Sequence, residues 1–389
     1  MKKGILISLS LVTLLLVLTA CQQQQKADEY MVIGMPLALT GSDAYIGEPP
    51  RLFMQDYVDK INAEGGLLGK KLKVVAYDIA ADNATEAVNA TNRFISQDKV
   101  FAIVGPTGSA AAIPMAPIVN AAKIPTIVPT ATNEKVTVQE TGELNPYMFR
   151  VCFIDNYQGS AAAYYAYEKL GYRKVGIFDA IGDPYSQGIS DYFEQEFIRL
   201  GGTITRRMSV NEGDVEFRPQ LSAMAETNPE AIFCPAGSYV RASFMINQSR
   251  ELGIDVPYIM ADANYDDALL EVCGPNVNGS LLTNGLYADS PEYAEFQADF
   301  AKKHPEWNAN IYVLYTYDCA ELLVWAVKQA NSFDGPAIQK ALASATNVKL
   351  FTDPSFTIDP LTHNPLNKTV AIIGVENEKW VLVDTFRPD

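Results

Sequence analysis

Apolar positions along this chain alternate between two patterns. Short unbroken runs such as VFAIVG (100–105), IPTIVP (124–129) and AIFCPAG (231–237) are separated by longer stretches in which apolar residues recur every three or four positions. The runs have the length of buried strands and the stretches read as amphipathic helices. In PRLFMQDYVDKINAEGG, residues Leu52, Phe53, Tyr57, Val58 and Ile61 form a helical stripe that stops at Gly65-Gly66. Laid end to end, the first half predicts a strand in MVIGMPLALTG, that helix, the strand KKLKVVAYD, a helix over 84–97, the strand VFAIVG, a helix from Ser109 to Ala122 and the short strand IPTIVP. The second half repeats the scheme: strands in RKVGIFDA, TITRRMSV, AIFCPAG and VPYIMAD, with helices in QGISDYFEQEFIRLG, FRPQLSAMAETN and YVRASFMINQSRELG. Such alternation means a parallel sheet covered on both faces by helices, and here it occurs twice. The expected fold class is α/β, with two doubly wound parallel-sheet domains.

The first residues stand outside this pattern. MKKGILISLSLVTLLLVLTAC has two lysines, an apolar run and the small-residue approach Leu18-Thr19-Ala20 to Cys21, the layout of a secretion signal. The four residues ending at Cys21 resemble a bacterial lipobox, which implies cleavage before Cys21 and its lipidation as a membrane anchor. An uncleaved membrane helix is the alternative, with a run near the lower length limit for spanning. Residues 1–20 are therefore read as signal and 21–29 as a polar tether.

Composition narrows the partners. Hydrophobic residues make up 48% and charged residues 20%, enough for real cores, and 389 residues suit two domains better than one. A formal net charge of −16 repels phosphate backbones and anionic headgroups, which excludes a nucleic-acid binder and leaves a small ligand or a protein partner. Cys152, Cys234, Cys273 and Cys319 contain no C-x-x-C pair, against a zinc or thioredoxin-like centre. A Cys234–Cys273 disulfide and four buried thiols both stay open for an exported chain.

In open parallel sheets ligands bind beyond the carboxyl ends of the strands. Those ends here read GPTGS, PTATN, IGDPYSQG, PAGSY and ADANYDD. The first half supplies the hydroxyls of Thr107, Ser109, Thr130 and Thr132, and the second a carboxylate and aromatics. GPTGS opens a helix, whose free N–H groups and positive dipole end suit a carboxylate or phosphate. Ser109 as a plain N-cap and Asp262 as the cap of DDALLEV are the competing structural roles, each worth about 1 kcal/mol to its own helix. Tyr45 and Tyr239 have packing as their competing role.

The ordered set INAEGGLLGKKLKVVAYD, GPTGS, PTATN, YMFRVCFIDNYQG, DPYSQG, FRPQLSAM and TYDCAELLVWAVKQA, preceded by LTG and Gly47, resembles the type I periplasmic binding proteins of ABC importers. The resemblance is to the leucine/isoleucine/valine-binding group and runs from about residue 30 to the end. It implies two lobes joined by a three-crossover hinge, closing on one solute and presenting the closed form to a membrane permease. The crossovers fall near Phe149-Arg150, Tyr287-Ala288 and Thr352-Asp353, so lobe 1 is expected over 30–150 plus 287–352 and lobe 2 over 151–286 plus 353–389. By the same resemblance Ser109, Thr130 and Thr132 hold an amino acid's α-carboxylate and part of its ammonium. Tyr185 closes over the ligand, Asp262 meets the ammonium, and Tyr45 lines the side-chain pocket. The chain departs from the leucine-binding pattern at PAGSYV, where Ser238 stands at an aromatic position and Tyr239 one step later.

Enzyme motifs are missing. There is no G-x-S-x-G, G-x-G-x-x-G or H-E-x-x-H, and EGGLLGKKL has the wrong spacing for a phosphate loop. The only histidines, His304 and His363, lie outside the strand-end loops. The expectation is a monomeric, non-enzymatic binding protein without metal or cofactor, exported and lipid-anchored at Cys21, carrying a branched-chain or other aliphatic amino acid. Urea, short amides or aromatic acids are the alternative solutes, and a ligand sensor for a membrane signalling partner is the alternative role.

Overall fold

The computed structural model of the chain describes residues 30–80, 82–211 and 213–386; the expected signal 1–20, tether 21–29 and Cys21 lie outside the described residues. The first sheet is all parallel, in the order β2-β1-β3-β4-β5, from β1 (Tyr30–Leu37), β2 (Lys71–Asp78), β3 (Ala102–Val104), β4 (Thr126–Val128) and β5 (Met148–Arg150). Side chains on a strand point alternately to the two faces, and β3 shows what each face meets. Ala102 and Val104 join the cluster holding Phe53, Met54 and Val58 of α1 (Ala44–Ala63) and Leu322 and Leu323 of α10 (Ile311–Ala330). Ile103 faces the other way, onto Ala87 and Ala90 of α2 (Ala84–Arg93) and Met115 and Val119 of α3 (Ser109–Ala122). The expected helix over 84–97 ends as an α-helix at Arg93 and continues as one π-helical turn.

The second sheet runs β12-β11-β10-β9-β8-β6-β7. Its strands are β6 (Lys174–Ala180), β7 (Thr203–Val210), β8 (Ala231–Phe233), β9 (Tyr258–Met260), β10 (Leu281–Asn284), β11 (Val370–Glu376) and β12 (Lys379–Phe386). Helices α4 (Asp155–Tyr164), α5 (Pro184–Arg199), α6 (Arg218–Ala225), α7 (Tyr239–Glu251) and α8 (Asp267–Cys273) alternate with its strands; α9 (Ala294–Lys303) and α11 (Gly335–Ala343) flank α10. One feature differs from the expected all-parallel arrangement: β11 runs antiparallel to both β10 and β12. The cause is local. Asn377 and Glu378 both take positive φ, 51° and 59°, the two-residue turn that folds a strand straight back on itself.

The chain leaves the first sheet after β5, enters the second at β6, departs after β10 for α10, which packs on α1, and returns for β11. Cys152, Cys234, Cys273 and Cys319 are all buried free thiols, so the Cys234–Cys273 pairing is not formed. The Cys234 thiol instead meets the sulfur of Met245 at 3.6 Å. No helix among the described residues is long and apolar enough to cross a membrane.

Candidate functional site

The carboxyl ends of the strands in both sheets face one cavity of about 150 Å³. Its first wall carries Asp82, Thr107, Gly108, Ser109 and Thr130, and its second carries Asp183, Tyr185, Ser238, Arg241 and Asp262. Tyr312, in the first turn of α10, also lines it. The walls touch at its edges: the side-chain amide of Asn133 donates to the Pro184 carbonyl at 2.8 Å, and Ser238 donates to Asp43 at 3.4 Å.

On the first wall the loop after β4 is held from behind by Arg150. This fully buried guanidinium donates to the carbonyls of Ala131 and Asn133, both at 2.7 Å, and to the Thr137 hydroxyl at 3.2 Å. Ser109 is not an N-cap, because Gly108 occupies that position; its hydroxyl accepts from the Asn133 N–H at 3.2 Å and keeps its own proton to donate. The Thr130 hydroxyl donates to the Thr107 carbonyl at 2.7 Å, so lone pairs remain for a ligand.

The N-terminus of α3, expected to receive a solute anion, holds one from the protein. The Asp82 carboxylate accepts from the N–H groups of Ala110 and Ala111 at 3.0 and 3.1 Å. Glycine at 108 permits this approach, since a Cβ there would stand 2.1 Å from the Asp82 carboxyl carbon. On the far side of the cavity the helices are capped by their own preceding residues, Asp183 for α5 and Ser238 for α7.

Asp262 is 5% exposed, and one of its oxygens accepts from the Tyr185 hydroxyl at 2.6 Å and the Gln158 amide at 2.8 Å. Burial pushes its carboxyl above the ordinary carboxylate range, while those two donors pull the other way. No cation among the described residues pairs with it. The cap of α8 is Asp266, whose side chain accepts from the Ala268 N–H at 3.0 Å, so Asp262 is free of that duty. Tyr185 is fixed in turn: its hydroxyl accepts from the Ala263 N–H at 3.2 Å, and burial together with Asp262 keeps the phenol protonated.

Of the residues singled out from sequence, Ser109, Thr130, Tyr185, Ser238 and Asp262 line the cavity. Thr132, Tyr45 and Tyr239 do not. Thr132 is fully buried behind the wall, where its carbonyl accepts from the Asp155 N–H at 3.1 Å. Tyr45 packs edge-on against Tyr239 at 4.7 Å and Tyr312 at 6.1 Å, so the two expected contacts form a layer supporting Tyr312. Sequence reasoning missed Asp43, Asp82, Gln158, Arg241 and Tyr312. Asp43 and Asp82 follow the ends of β1 and β2 and were reachable by the strand-end rule; Gln158, Arg241 and Tyr312 come from helices and carry no such mark.

Comparison with known proteins gives a consistent result. Residues 31–379 match the family model described as periplasmic binding protein. An amino acid binding protein of Pseudomonas aeruginosa is 30% identical over 307 residues, covering 78% of this chain and 80% of the relative. Among solved structures, a leucine binding protein from Thermotoga maritima superposes with a TM-score of 0.81 at 29% identity, over 92% of this chain and 99% of the other. The branched-chain amino acid transporter substrate binding protein of Streptococcus pneumoniae, in complex with isoleucine, gives a TM-score of 0.82 at 26% identity, over 92% of this chain and all of the other.

Proposed function

Because the chain belongs to the periplasmic binding protein family, we propose that it is the extracytoplasmic solute-binding component of an ABC importer and that it captures a small amino compound. The observation carrying this reading is Asp262, a buried carboxylate at the cavity wall whose donors among the described residues, Tyr185 and Gln158, are neutral. An ammonium is the group that removes the cost of burying such a charge. The solute docks on the first wall against the hydroxyls of Ser109 and Thr130, and the second wall brings Tyr185 and Asp262 over its ammonium. Charge-assisted hydrogen bonds of about 1.5–3 kcal/mol each support micromolar binding after the costs of ordering.

Capture involves no bond chemistry. Ligand contacts to both walls favour the closed form, and a permease that recognises that form receives the solute. The lobes in this account are residues 30–150 plus 287–352 and residues 151–286 plus 353–389, with a lipid at Cys21 holding a monomer at the membrane. The family resemblance and the isoleucine held by the Streptococcus neighbour support an amino acid as the solute. An aromatic acid fits poorly, because it brings a second anion to a wall already lined by carboxylates.

The test is calorimetric titration of protein refolded to strip carried-over ligand, against the common amino acids, urea, short amides and benzoate. Saturable binding of an amino compound that disappears in Asp262→Ala supports the reading. Binding confined to solutes without an ammonium contradicts it.

A further inference from the structure

Asn133, in the loop after β4, uses every polar atom it has. Its N–H donates to the Ser109 hydroxyl at 3.2 Å and its carbonyl accepts from Arg150 at 2.7 Å, which ties the residue to the first wall. Its side-chain oxygen accepts from the Lys135 N–H at 3.0 Å, and this fixes which way the amide group faces. The amide nitrogen then faces the second sheet's helices, donating to Asp155 at 3.1 Å and to the Pro184 carbonyl at 2.8 Å. Pro184 is the first residue of α5, immediately before Tyr185. One residue therefore joins the Ser109 hydroxyl to the helix carrying the tyrosine that donates to Asp262.

A glycine brings these groups close. A Cβ at Gly188, one turn along α5, would stand 2.6 Å from the Asn133 amide nitrogen and 2.7 Å from the Asp155 carboxylate. Glycine weakens a helix interior relative to alanine, and here it lets α5 come down onto the amide. The next residue makes a second crossing: the Glu134 carboxylate accepts from the Asn156 N–H at 3.1 Å, in the first turn of α4. Asn133 is buried, so its bonds are made out of water, where a hydrogen bond is electrostatically stronger.

We propose that Asn133 is a positioning residue for solute capture: its amide latches α5 to the first wall, keeps Tyr185 over the solute and sets how slowly the solute leaves. This rests on the reading that two walls close on a solute, whichever solute that is. Opening the cavity takes the Pro184 carbonyl away from the amide, whereas the bonds to Ser109, Arg150 and Lys135 stay within the first wall. The latch then acts on the closed form alone, and a contact made only there shows in the dissociation rate.

The test uses the full-length protein at neutral pH, stripped of carried-over ligand and held in mild detergent. The probe is whichever of the common amino acids, urea, short amides and benzoate binds the unaltered protein most tightly, and its association and release rates are measured separately. Asn133→Ser keeps the main-chain bonds and a side-chain oxygen for the Lys135 N–H, but is too short to reach Pro184. It is expected to release the probe about tenfold faster, with the association rate changed by less than about twofold and the thermal midpoint without ligand unchanged. Asn133→Asp keeps the length and the cap but sets an acceptor against the Pro184 carbonyl, and is expected to release the probe faster still. An unchanged release rate in both variants, or a loss confined to association or to ligand-free stability, overturns this inference and leaves the binding reading standing. A probe without an ammonium, released faster by both variants, supports the latch and overturns the amino-compound reading. Binding of none of the probes overturns both.

Discussion

The two walls of the cavity are built by the same device, a strand end leading into a helix, yet they treat charge in opposite ways. On the first wall Asp82 is held by two backbone N–H groups that suit an anion. On the second, Asp262 is held by a phenol and an amide, neutral donors that position a carboxylate without neutralising it. A carboxylate at a helix N-terminus is at rest, whereas a buried carboxylate among neutral groups lacks a counter-ion. The difference leaves Asp262 on the second wall as the carboxylate whose donors are neutral, and Asp82 on the first wall as one seated on backbone amides.

The largest expected effect removes that charge. Asp262→Ala is expected to weaken amine binding on the order of 100-fold, the range seen when one partner of a buried charge pair is truncated. Circular dichroism should show an unchanged fold, because the variant leaves no buried ion behind. Near-normal affinity would move recognition off the second wall.

Tyr185→Phe tests whether the neutral donors matter. Losing one hydrogen bond to Asp262 and leaving the Ala263 N–H unpaired is expected to weaken binding about tenfold, at about 1 kcal/mol per bond. Titration of this variant beside Tyr312→Phe separates the hydroxyl that positions Asp262 from a second tyrosine that lines the cavity. Ser109→Ala is expected to be smaller, about a fivefold loss in affinity, with about 1 kcal/mol of stability lost as the Asn133 N–H loses its acceptor. Unchanged affinity would reduce Ser109 to a strut.

The smallest effect is in pH. Burial raises the pKa of Asp262 above the ordinary 3.8, and that of Asp266 to about 6. Acidification therefore protonates Asp262 before ordinary carboxylates and is expected to weaken amine binding. Ligand-free stability moves the other way. An acid whose pKa is raised in the folded state contributes stability that is present below its unfolded pKa and lost as pH rises through the folded one. Asp262, Asp266, Asp318 (about 6) and Glu321 (about 7) all act in this direction, and buried His363, whose pKa is lowered, opposes them below about 6.5. The midpoint of thermal unfolding without ligand should be higher at pH 5.5 than at pH 7.5, as scanning calorimetry would show.

Periodicity exposed the alternating architecture because strands buried on both faces leave continuous apolar runs, as in β3, β4, β8 and β9. It did not expose the antiparallel edge, whose hairpin rests on the two-residue turn Asn377-Glu378 between apolar runs. At the site, Ser109, Thr130, Tyr185, Ser238 and Asp262 were legible because each lies just beyond a strand end. Gln158 and Tyr312 were not, since both sit on helices and only tertiary packing brings them to Asp262 or the cavity. Tyr45 and Tyr239 were displaced by packing on each other. The role of Asp82 was hidden most deeply. It combines a left-handed backbone, φ 64°, with a glycine 26 positions away that leaves space for its carboxylate.

The most direct test is a crystal structure of the protein purified with whatever ligand it carries from the cell. The account predicts a ligand nitrogen within hydrogen-bond distance of Asp262, with Asp82 still seated on the Ala110 and Ala111 amides. A ligand carboxylate on those amides, with Asp82 displaced and apolar atoms facing Asp262, would contradict it.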